Sequence, residues 1–280
     1  MTAEKRSSVQ TLVEFGLSVA RSCTLCSLSR STFYRPERNW RKADSAVIDQ
    51  INAVLAKSPQ AGFWKCFKRI RNKGIVLNHK RAYRVYCAMG LNLPRRVKRV
   101  LPKRVPRPMH VVERPNHQWA LDFVHDTLYC DRRFRALNVI DEGTRECLAI
   151  ETDTSLPAQR VVRVLEQLKA ERGVPFQIRV DNGPELISAT MADWCEENHV
   201  ELAFIQPGKP QQNGFVERFN GSFRREFLDA YLFESLDQVR EMAWFWRLDY
   251  NDERPHESLG DIPPTVYRQM VENSTLELSQ

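Results

Sequence analysis

The sequence lacks long apolar runs and any sign of an export signal. No segment approaches the roughly 18 consecutive apolar residues that identify a membrane-spanning helix. The first ten residues, MTAEKRSSVQ, contain no apolar stretch of the kind found in secretory signals. We therefore expect a cytoplasmic protein with no membrane partner.

Paired cysteines of the kind that hold zinc are also missing. Among the seven cysteines, only Cys23 and Cys26 have the CxxC spacing of a metal site. No second pair and no neighbouring histidine pair accompanies them, so we interpret them as small apolar packing residues in a helix. The remaining cysteines are interpreted as ordinary reduced thiols.

Acidic residues are sparse in the first part of the chain. Residues 1–110 contain 24 Lys+Arg and 5 Asp+Glu, whereas residues 111–280 contain 18 and 30. This asymmetry predicts a polyanion-binding arm followed by a domain with another role, although a solvated charged face is the simpler alternative. Nucleic acid is favoured over a membrane surface because the basic part has no clear apolar face for insertion.

Composition and local pattern divide the chain into five predicted segments. Residues 1–40 are predicted as a helix-turn-helix DNA-binding unit and 41–93 as a helical DNA-binding domain. Residues 94–109 have seven cations, no acids and four prolines, which predicts an extended basic linker. Residues 110–273 are predicted as a catalytic core, and 274–280 as a tail.

Each basic segment contains candidate DNA contacts. Ser29 is a predicted N-cap for a short helix over 30–35, and Asn78 for a later helix. A plain helical hairpin remains the alternative for the first unit, and a solvated tether for the linker. The candidates in these three segments are Arg30, Ser31, Thr32 and Tyr34; Lys80, Arg81 and Arg84; and Arg95, Arg96, Lys98 and Arg99.

From about residue 111 the pattern changes to alternating strand segments. Three strands are predicted within 117–151, then a helix over 157–172 and a short strand that ends before Asp181. A long helix over 213–231 and another over 236–250 follow a further helix and strand. This order predicts an α/β layer fold with a mixed sheet.

Three acids stand where these elements would converge. Asp122 lies in the first predicted strand, Asp181 follows the later one, and Glu217 lies early in the 213–231 helix. Acids held together repel one another, and Mg²⁺, which prefers oxygen ligands and completes its shell with phosphate, relieves that repulsion. Taken singly, each acid also fits a structural role, and other acids compete: Asp126, Asp141, Glu185 and Glu226.

The surrounding motifs decide between these acids. Asp122 stands in WALDFVHD, Asp181 in RVDNGPEL and Glu217 in GKPQQNGFVERFNGSFRREF, with 35 residues between the last two acids. This set resembles the DDE integrase catalytic core of insertion-sequence transposases, in particular the product of the second open reading frame of two-frame elements. The tail WRLDYNDERPHESLGDIPPTVY, residues 246–267, also resembles that family, as do NHKRAYRVYCAMGL (78–91) and LSRSTFYR (28–35).

The resemblance implies an RNase H-like core preceded by all-α helix-turn-helix-type domains. It implies cleavage at the 3′ ends of an insertion sequence and strand transfer to another DNA, with two Mg²⁺ (or Mn²⁺) ions held by Asp122, Asp181 and Glu217. The partners it implies are the terminal inverted repeats, target DNA, an upstream-frame protein joined by frameshift fusion, and further copies of the chain on DNA. It also implies site-shaping roles for Asn182 and Gly183, and DNA contacts at Lys209, Gln212 and Arg254; for Arg254, packing is an equal alternative.

Two other functions remain open at this level. A nuclease of the same fold would share the carboxylate site but would hydrolyse DNA without strand transfer. A non-catalytic DNA-binding regulator would bind DNA without needing the carboxylates at all. Loss of catalysis in Asp181→Asn with retention of DNA binding separates an enzyme from such a regulator.

Overall fold

The computed structural model describes residues 2–35, 43–92, 114–181, 183, 185–205 and 213–278. The chain divides into two compact units, Met1–Ile48 and Asp49–Gln280. Within the described residues, no helix is both long enough and apolar enough to span a bilayer.

The first unit is helical. It contains α1 (Thr2–Glu14), α2 (Val19–Leu25) and the short α3 (Arg30–Tyr34). The predicted cap of the last helix is confirmed, because the side chain of Ser29 accepts a hydrogen bond of 3.1 Å from the backbone N–H of Thr32.

The second unit begins with helices that precede the sheet. These are α4 (Ser45–Lys57, which crosses the boundary between the units), α5 (Phe63–Asn72) and α6 (His79–Ala88). Asn78 caps α6 as predicted, by accepting a 2.9 Å bond from the N–H of Lys80. The short connections keep the aromatic side chains of α5 against those of α6.

A five-stranded mixed sheet forms the centre of this unit. Its strands are β1 (Gln118–Thr127), β2 (Arg133–Asp141), β3 (Cys147–Asp153), β4 (Gln177–Val180) and β5 (Glu201–Phe204), in the spatial order β3-β2-β1-β4-β5. The first three strands form an antiparallel meander, and β4 pairs parallel with both β1 and β5. The predicted mixed sheet is therefore confirmed.

Helices cover both faces of the sheet. They are α7 (Ala158–Arg172), α8 (Ala189–Glu197), α9 (Gly214–Glu226) and α10 (Leu236–Leu248). The last helix, α11 (Pro264–Leu278), packs beside residues Asp249–Glu253. Side chains alternate across a strand, so neighbouring residues of β1 enter different cores. Leu121 packs in the core that contains side chains of α7 and α8, whereas Ala120 and Val124 pack in the core that contains those of α9 and α10.

Two predicted helices end earlier than the apolar spacing indicates. The helix predicted over 213–231 stops at Glu226, because Phe227 leaves helical geometry and its buried ring packs against Phe233 from beyond the turn. The helix predicted over 236–250 changes at Leu248 into a π-helical turn, Asp249–Glu253. Asn251 in that turn accepts from the Cys147 N–H and donates to the Cys147 carbonyl, so a distant strand fixes its geometry.

The basic helix α5 is joined to the end of the chain by ion pairs. Arg69, only 4% exposed, forms a two-fold hydrogen bond to Asp249 at 2.7 and 2.6 Å. Other ion pairs link α4, α5 and Lys73, the residue after α5, to the second half of the chain. They are Lys57–Glu253, Lys65–Glu226, Lys68–Asp261 and Lys73–Glu253. Many cations of the helical domain are therefore engaged within the protein.

Candidate active site

Asp122 is held in place by two hydrogen bonds on the face of β1 that α9 covers. One carboxylate oxygen accepts from the N–H of Phe123 at 2.8 Å, and the other accepts from the side-chain amide of Asn220 at 2.8 Å. The amide oxygen of Asn220 accepts in turn from Asn138 at 2.7 Å. Asn138 is fully buried and lies directly opposite Asp122 on β2, so strand register and helix position together fix the carboxylate.

Asp181 lies beside Asp122 because their strands are parallel neighbours. Ala120 pairs with Arg179, and each aspartate stands two residues further along its own strand. Adjacent strands are about 4.8 Å apart and residues in register point to the same side, so the two carboxylates project from the same face of the sheet. The N–H of Gly183 donates a 3.0 Å hydrogen bond to Asp181 Oδ1.

Glu217 comes from the first turn of α9. Val216 and Phe219 are buried in the core between helix and sheet, whereas Glu217 is exposed at the helix N-terminus, where a carboxylate is favoured. Asn220 lies three residues after Glu217 and therefore on the same helical face. Because Asn220 touches Asp122, this face of α9 brings Glu217 towards the aspartates.

The pKa of Asp122 shows that the other two acids lie close enough to affect it. Burial, together with the negative charges of Asp181 and Glu217, raises the pKa of Asp122 to about 6. The hydrogen bonds from Phe123 and Asn220 act in the opposite direction, because they stabilise the ionised form. The three acids therefore form one interacting group with unrelieved negative charge.

The competing acids are neutralised by neighbouring groups. Glu226 pairs with Lys65 and Arg254, and Glu185 pairs with Arg135. Asp126 lies 3.7 Å from the guanidinium of Arg224, and Asp141 accepts from the backbone N–H groups of Asn116, Gly143 and Thr144. Within the described ranges, no cation forms an ion pair with Asp122, Asp181 or Glu217, in contrast to Asp126, Glu185 and Glu226.

The donor set of these acids suits a hard divalent cation. Carboxylate oxygens are the protein ligands that Mg²⁺ prefers, and a cation would relieve the repulsion that raises the pKa of Asp122. In the part of the chain that the structure describes, no three His, Cys, Asp or Glu side chains form a ready-made metal cage. Mg²⁺ does not need one, because it keeps several waters and takes substrate phosphate oxygens as ligands.

The predicted DNA contacts fall into distinct groups. Arg30, Ser31 and Tyr34 are exposed on α3, with Thr32 half-buried beside them. Exposed side chains on α6, on the side opposite buried Ala82, Val85 and Tyr86, are those of Lys80, Arg81 and Arg84. The predicted residues that lie outside the described part of the chain are Arg95, Arg96, Lys98, Arg99, Asn182, Lys209 and Gln212.

Arg254 is engaged inside the protein. It is 8% exposed and donates to Glu226 at 2.9 and 3.0 Å, while its guanidinium lies 5.2 Å from the ring centre of Tyr250. The neighbouring His256 is 8% exposed as well. Of the two alternatives for this motif, the structure favours packing over direct contact with DNA.

Asn138 and Asn220 are site residues that the sequence reasoning did not identify. Asn220 had an available signal, since it follows Glu217 by one helical turn and so shares its face. For Asn138, the sequence showed only that it lies in a strand with alternating apolar residues. Which residue of the neighbouring strand would lie opposite it could not be predicted from the sequence. Cys23 is buried and Cys26 half-buried, both free, in agreement with the packing interpretation.

Two family models match this chain, both described as an integrase core domain, over residues 112–210 and 198–264. The chain is 35% identical over 264 residues to the insertion element IS476 uncharacterized 39.2 kDa protein of Xanthomonas euvesicatoria, covering 94% of this chain and 76% of that protein. It is also 35% identical over 259 residues to the IS407 uncharacterized 31.7 kDa protein of Burkholderia multivorans, covering 90% of each.

The fold is similar to that of a retroviral integrase. A simian T-cell lymphotropic virus intasome, solved in complex with a PP2A regulatory subunit, contains a similar chain with a TM-score of 0.50 and 18% identity. The match covers 78% of this chain and 74% of that one. The predicted RNase H-like core is thus confirmed.

The chain belongs to the insertion-sequence transposases that have a DDE integrase catalytic core. This membership, predicted from the motifs, places the chain among proteins of DNA transposition and integration, in the polynucleotidyl transferase superfamily.

Proposed function

We propose that this protein cleaves DNA at the 3′ ends of an insertion sequence and joins those ends to another DNA, with Asp122, Asp181 and Glu217 as its catalytic carboxylates. The observation that carries the proposal is the difference in charged neighbours between these three acids and the competing acids. Asp126, Glu185 and Glu226 each pair with a cation, whereas no cation in the described ranges pairs with Asp122, Asp181 or Glu217, and the negative charges of Asp181 and Glu217 help to raise the pKa of Asp122.

The three carboxylates would hold Mg²⁺ or Mn²⁺, in a two-ion arrangement. When bound, two divalent cations stabilise the attacking and leaving oxygens of an in-line displacement at phosphorus. Asn220 orients Asp122, and the N–H of Gly183 orients Asp181, so these carboxylate oxygens are positioned before DNA arrives. In the first step water attacks the phosphodiester, releases a 3′-hydroxyl and leaves the phosphate on the 5′ end of the other fragment. In the next step that 3′-hydroxyl attacks a phosphodiester of the target DNA, forms a new P–O bond and displaces the 3′-oxygen of the target strand.

The partners we propose follow from this reaction. Terminal inverted repeats and target DNA are the substrates, and joining two ends requires more than one copy of the chain on DNA. Exposed polar and basic residues on α3, including Arg30 and Ser31, support a DNA-reading role for the first unit. An upstream-frame protein, joined to this chain by frameshifting, would complete the active form.

Nicking of supercoiled DNA in Mn²⁺ tests the carboxylate assignment. We expect wild-type protein to nick, and Asp181→Asn and Glu217→Gln to lose at least about a hundredfold in rate, since a charged ligand is removed from the reacting centre. Asp193→Asn is the matched control, because Asp193 is an exposed aspartate on α8. DNA binding should persist in all variants.

Three outcomes would contradict the proposal in different ways. Nicking that persists in Asp181→Asn would show that other groups catalyse the reaction. Nicking without joining of a supplied 3′ end, even with the upstream-frame fusion, would indicate a nuclease. DNA binding without any nicking by that fusion on the element's own ends would indicate a regulator.

A further inference from the structure

A half-buried ion pair joins the segment after Asp181 to the second strand of the sheet. Arg135 on β2 donates a hydrogen bond to the carboxylate of Glu185, which stands four residues after Asp181 in the turn that leads to α8. Each of the two side chains is 22% exposed. We call this pair the Arg135–Glu185 bridge.

Backbone pairing between β1 and β4 ends before either aspartate is reached. The last paired residues are Ala120 and Arg179, two positions before Asp122 and Asp181. Within the ranges that the structure describes, the backbone ladder therefore does not itself set the separation of the two carboxylates. Contacts of side chains have to hold the segment of Asp181 at its distance from β1.

One guanidinium contacts both of the segments that carry an aspartate. The guanidinium carbon of Arg135 lies 4.2 Å from the ring centre of Phe123, which follows Asp122 and donates its N–H to the Asp122 carboxylate. Phe123 packs against the core that contains side chains of α7 and α8, so this contact lies on the face of β1 opposite Asp122. Because the same guanidinium donates to Glu185, it holds the segment of Asp181 against β1.

The carboxylates of Glu185 and Asp181 lie next to the same glycine. A Cβ placed on Gly183 would be 2.9 Å from Asp181 Oδ1 and 3.8 Å from Glu185 Oε2, so a displacement of Glu185 acts on the aspartate over a short distance. Arg135 also offsets the repulsion between these two negative charges. Its hydrogen bond lowers the pKa of Glu185, so Glu185 stays ionised and the bridge stays intact at neutral pH.

A positioning role explains the bridge better than a contribution to stability alone. Ion pairs that are partly open to solvent contribute little to the free energy of unfolding. By contrast, replacement of residues that orient a metal ligand commonly reduces metal affinity by about 10–100-fold. The contacts of Arg135 with both aspartate-bearing segments place the bridge where it can orient a ligand.

We propose that the Arg135–Glu185 bridge positions Asp181 relative to Asp122 for metal binding, so that Arg135 and Glu185 are positioning residues of the carboxylate site. The proposal rests on the carboxylate site proposed above and adds to it the contact that sets the separation of the two aspartates. In this role neither Arg135 nor Glu185 touches the metal ion or the DNA.

Binding of Mn²⁺ alone, without DNA, tests the proposal. Free Mn²⁺ is measured from its electron paramagnetic resonance signal as the ion is titrated into the full chain. Glu185→Gln and Arg135→Gln each break the bridge, and we expect each to raise the dissociation constant for Mn²⁺ about 10-fold. Because both act through one contact, the double variant Arg135→Gln/Glu185→Gln should show the same rise of about 10-fold, not the product of the two.

The direction of the two single changes separates positioning from a simple effect of charge. Loss of the negative charge of Glu185 would by itself weaken cation binding, whereas loss of the positive charge of Arg135 would strengthen it. Positioning predicts weaker binding in both variants. A role in stability alone would lower the melting temperature and leave the dissociation constant unchanged.

The matched control is Glu151→Gln. Glu151 on β3 pairs with Arg160 at 2.7 Å and is 31% exposed, so it forms a similar ion pair on an edge strand two positions from β1. We expect its dissociation constant for Mn²⁺ to equal that of wild type. Glu185→Asp keeps the charge but is one methylene too short for the same contact with Arg135. It should also weaken Mn²⁺ binding, and it keeps the test decisive if Arg135→Gln does not fold.

The outcomes separate this proposal from the function beneath it. Unchanged Mn²⁺ binding in Glu185→Gln, or tighter binding in Arg135→Gln, would overturn the positioning role and leave the carboxylate site intact. Mn²⁺ binding that is absent, or equal in wild type and Asp181→Asn, would overturn the carboxylate assignment and the bridge with it. Weaker binding in both single variants, without nicking by any form of the protein, would support the bridge and contradict only the DNA-transfer function.

Discussion

Glu226 provides a sharp test of how the helical domain is held against the core. Its carboxylate accepts from Lys65 and from two guanidinium nitrogens of Arg254, and its side chain is 16% exposed. These cations hold the pKa of Glu226 at about 2, against an ordinary value of 4.5, although burial alone would raise it. We predict that Glu226→Gln, which keeps the shape and removes the charge, destabilises the folded protein substantially.

Two separate arguments give the expected loss of free energy of unfolding in Glu226→Gln. A lowering of about 2.5 pKa units, at 1.36 kcal/mol each, corresponds to about 3 kcal/mol of stability at neutral pH. Loss of one partner from a buried ion pair typically costs about 3–5 kcal/mol. Lys65 adds no corresponding stabilisation. Its pKa is lowered, because burial and the charge of Arg254 outweigh the attraction of Glu226. We therefore take the lower figure, about 3 kcal/mol.

The pH dependence follows from the same shift. A carboxyl whose pKa is lowered on folding contributes its full stability above its unfolded pKa and loses it as pH falls through the folded value. The difference between wild type and Glu226→Gln should accordingly be constant from pH 7 to about 4.5 and shrink from there towards about 2. A difference that stays constant down to pH 3 would refute this reasoning.

Urea unfolding followed by tryptophan fluorescence measures the change, since five of the six tryptophans lie within residues 49–280. Glu241→Gln is the matched control, because Glu241 is an exposed glutamate on α10, and we expect it to alter the free energy of unfolding by less than about 0.5 kcal/mol. A loss below about 1 kcal/mol for Glu226→Gln at pH 7 would show that the ion pairs do not hold the domain.

Two further predictions concern the positioning of the catalytic aspartates. A Cβ at Gly183 would lie 2.9 Å from Asp181 Oδ1, so Gly183→Ala should displace that carboxylate and reduce Mn²⁺-dependent nicking at least tenfold, with an unchanged melting temperature; full activity would show that the close approach is unimportant. Asn220→Ala removes the hydrogen bond to Asp122 and leaves the buried amide of Asn138 without its acceptor. We expect the Mn²⁺ concentration for half-maximal nicking to rise about 10–100-fold, and an unchanged concentration would contradict the positioning role.

The parts of the fold that depend on local pattern were predictable. Alternation of apolar residues located the meander of β1 to β3, and polar residues before helices located the caps at Ser29 and Asn78. The position of Asp181 after a buried strand and of Glu217 at a helix start also followed from local signals. Family resemblance then selected the three acids among several, and the ion pairs of the rejected acids provide a physical reason for that selection.

Features that depend on distant partners were not predictable. The end of α9 is fixed by packing of Phe227 on Phe233, so the continued apolar spacing to Tyr231 was misleading. Arg69 and Lys65 are cations in a basic helix, and nothing near them in the sequence indicates that Asp249 and Glu226 will neutralise them. A single sequence gives the charges but not the pairs they form.

The positions of the strands along the chain also determine when the carboxylate site can form during synthesis. Asp122 lies in a strand whose antiparallel partner follows after a short turn, so this pairing involves only local contacts. The parallel neighbour that precedes Asp181 is formed some 50 residues later, and Glu217 follows 36 residues after Asp181. At about 5–20 residues per second, a ribosome needs roughly 2–7 s to add those 36 residues. During synthesis the nascent chain therefore has the framework of the meander before it has a complete set of carboxylates, and no reactive centre exists until most of the protein has been made.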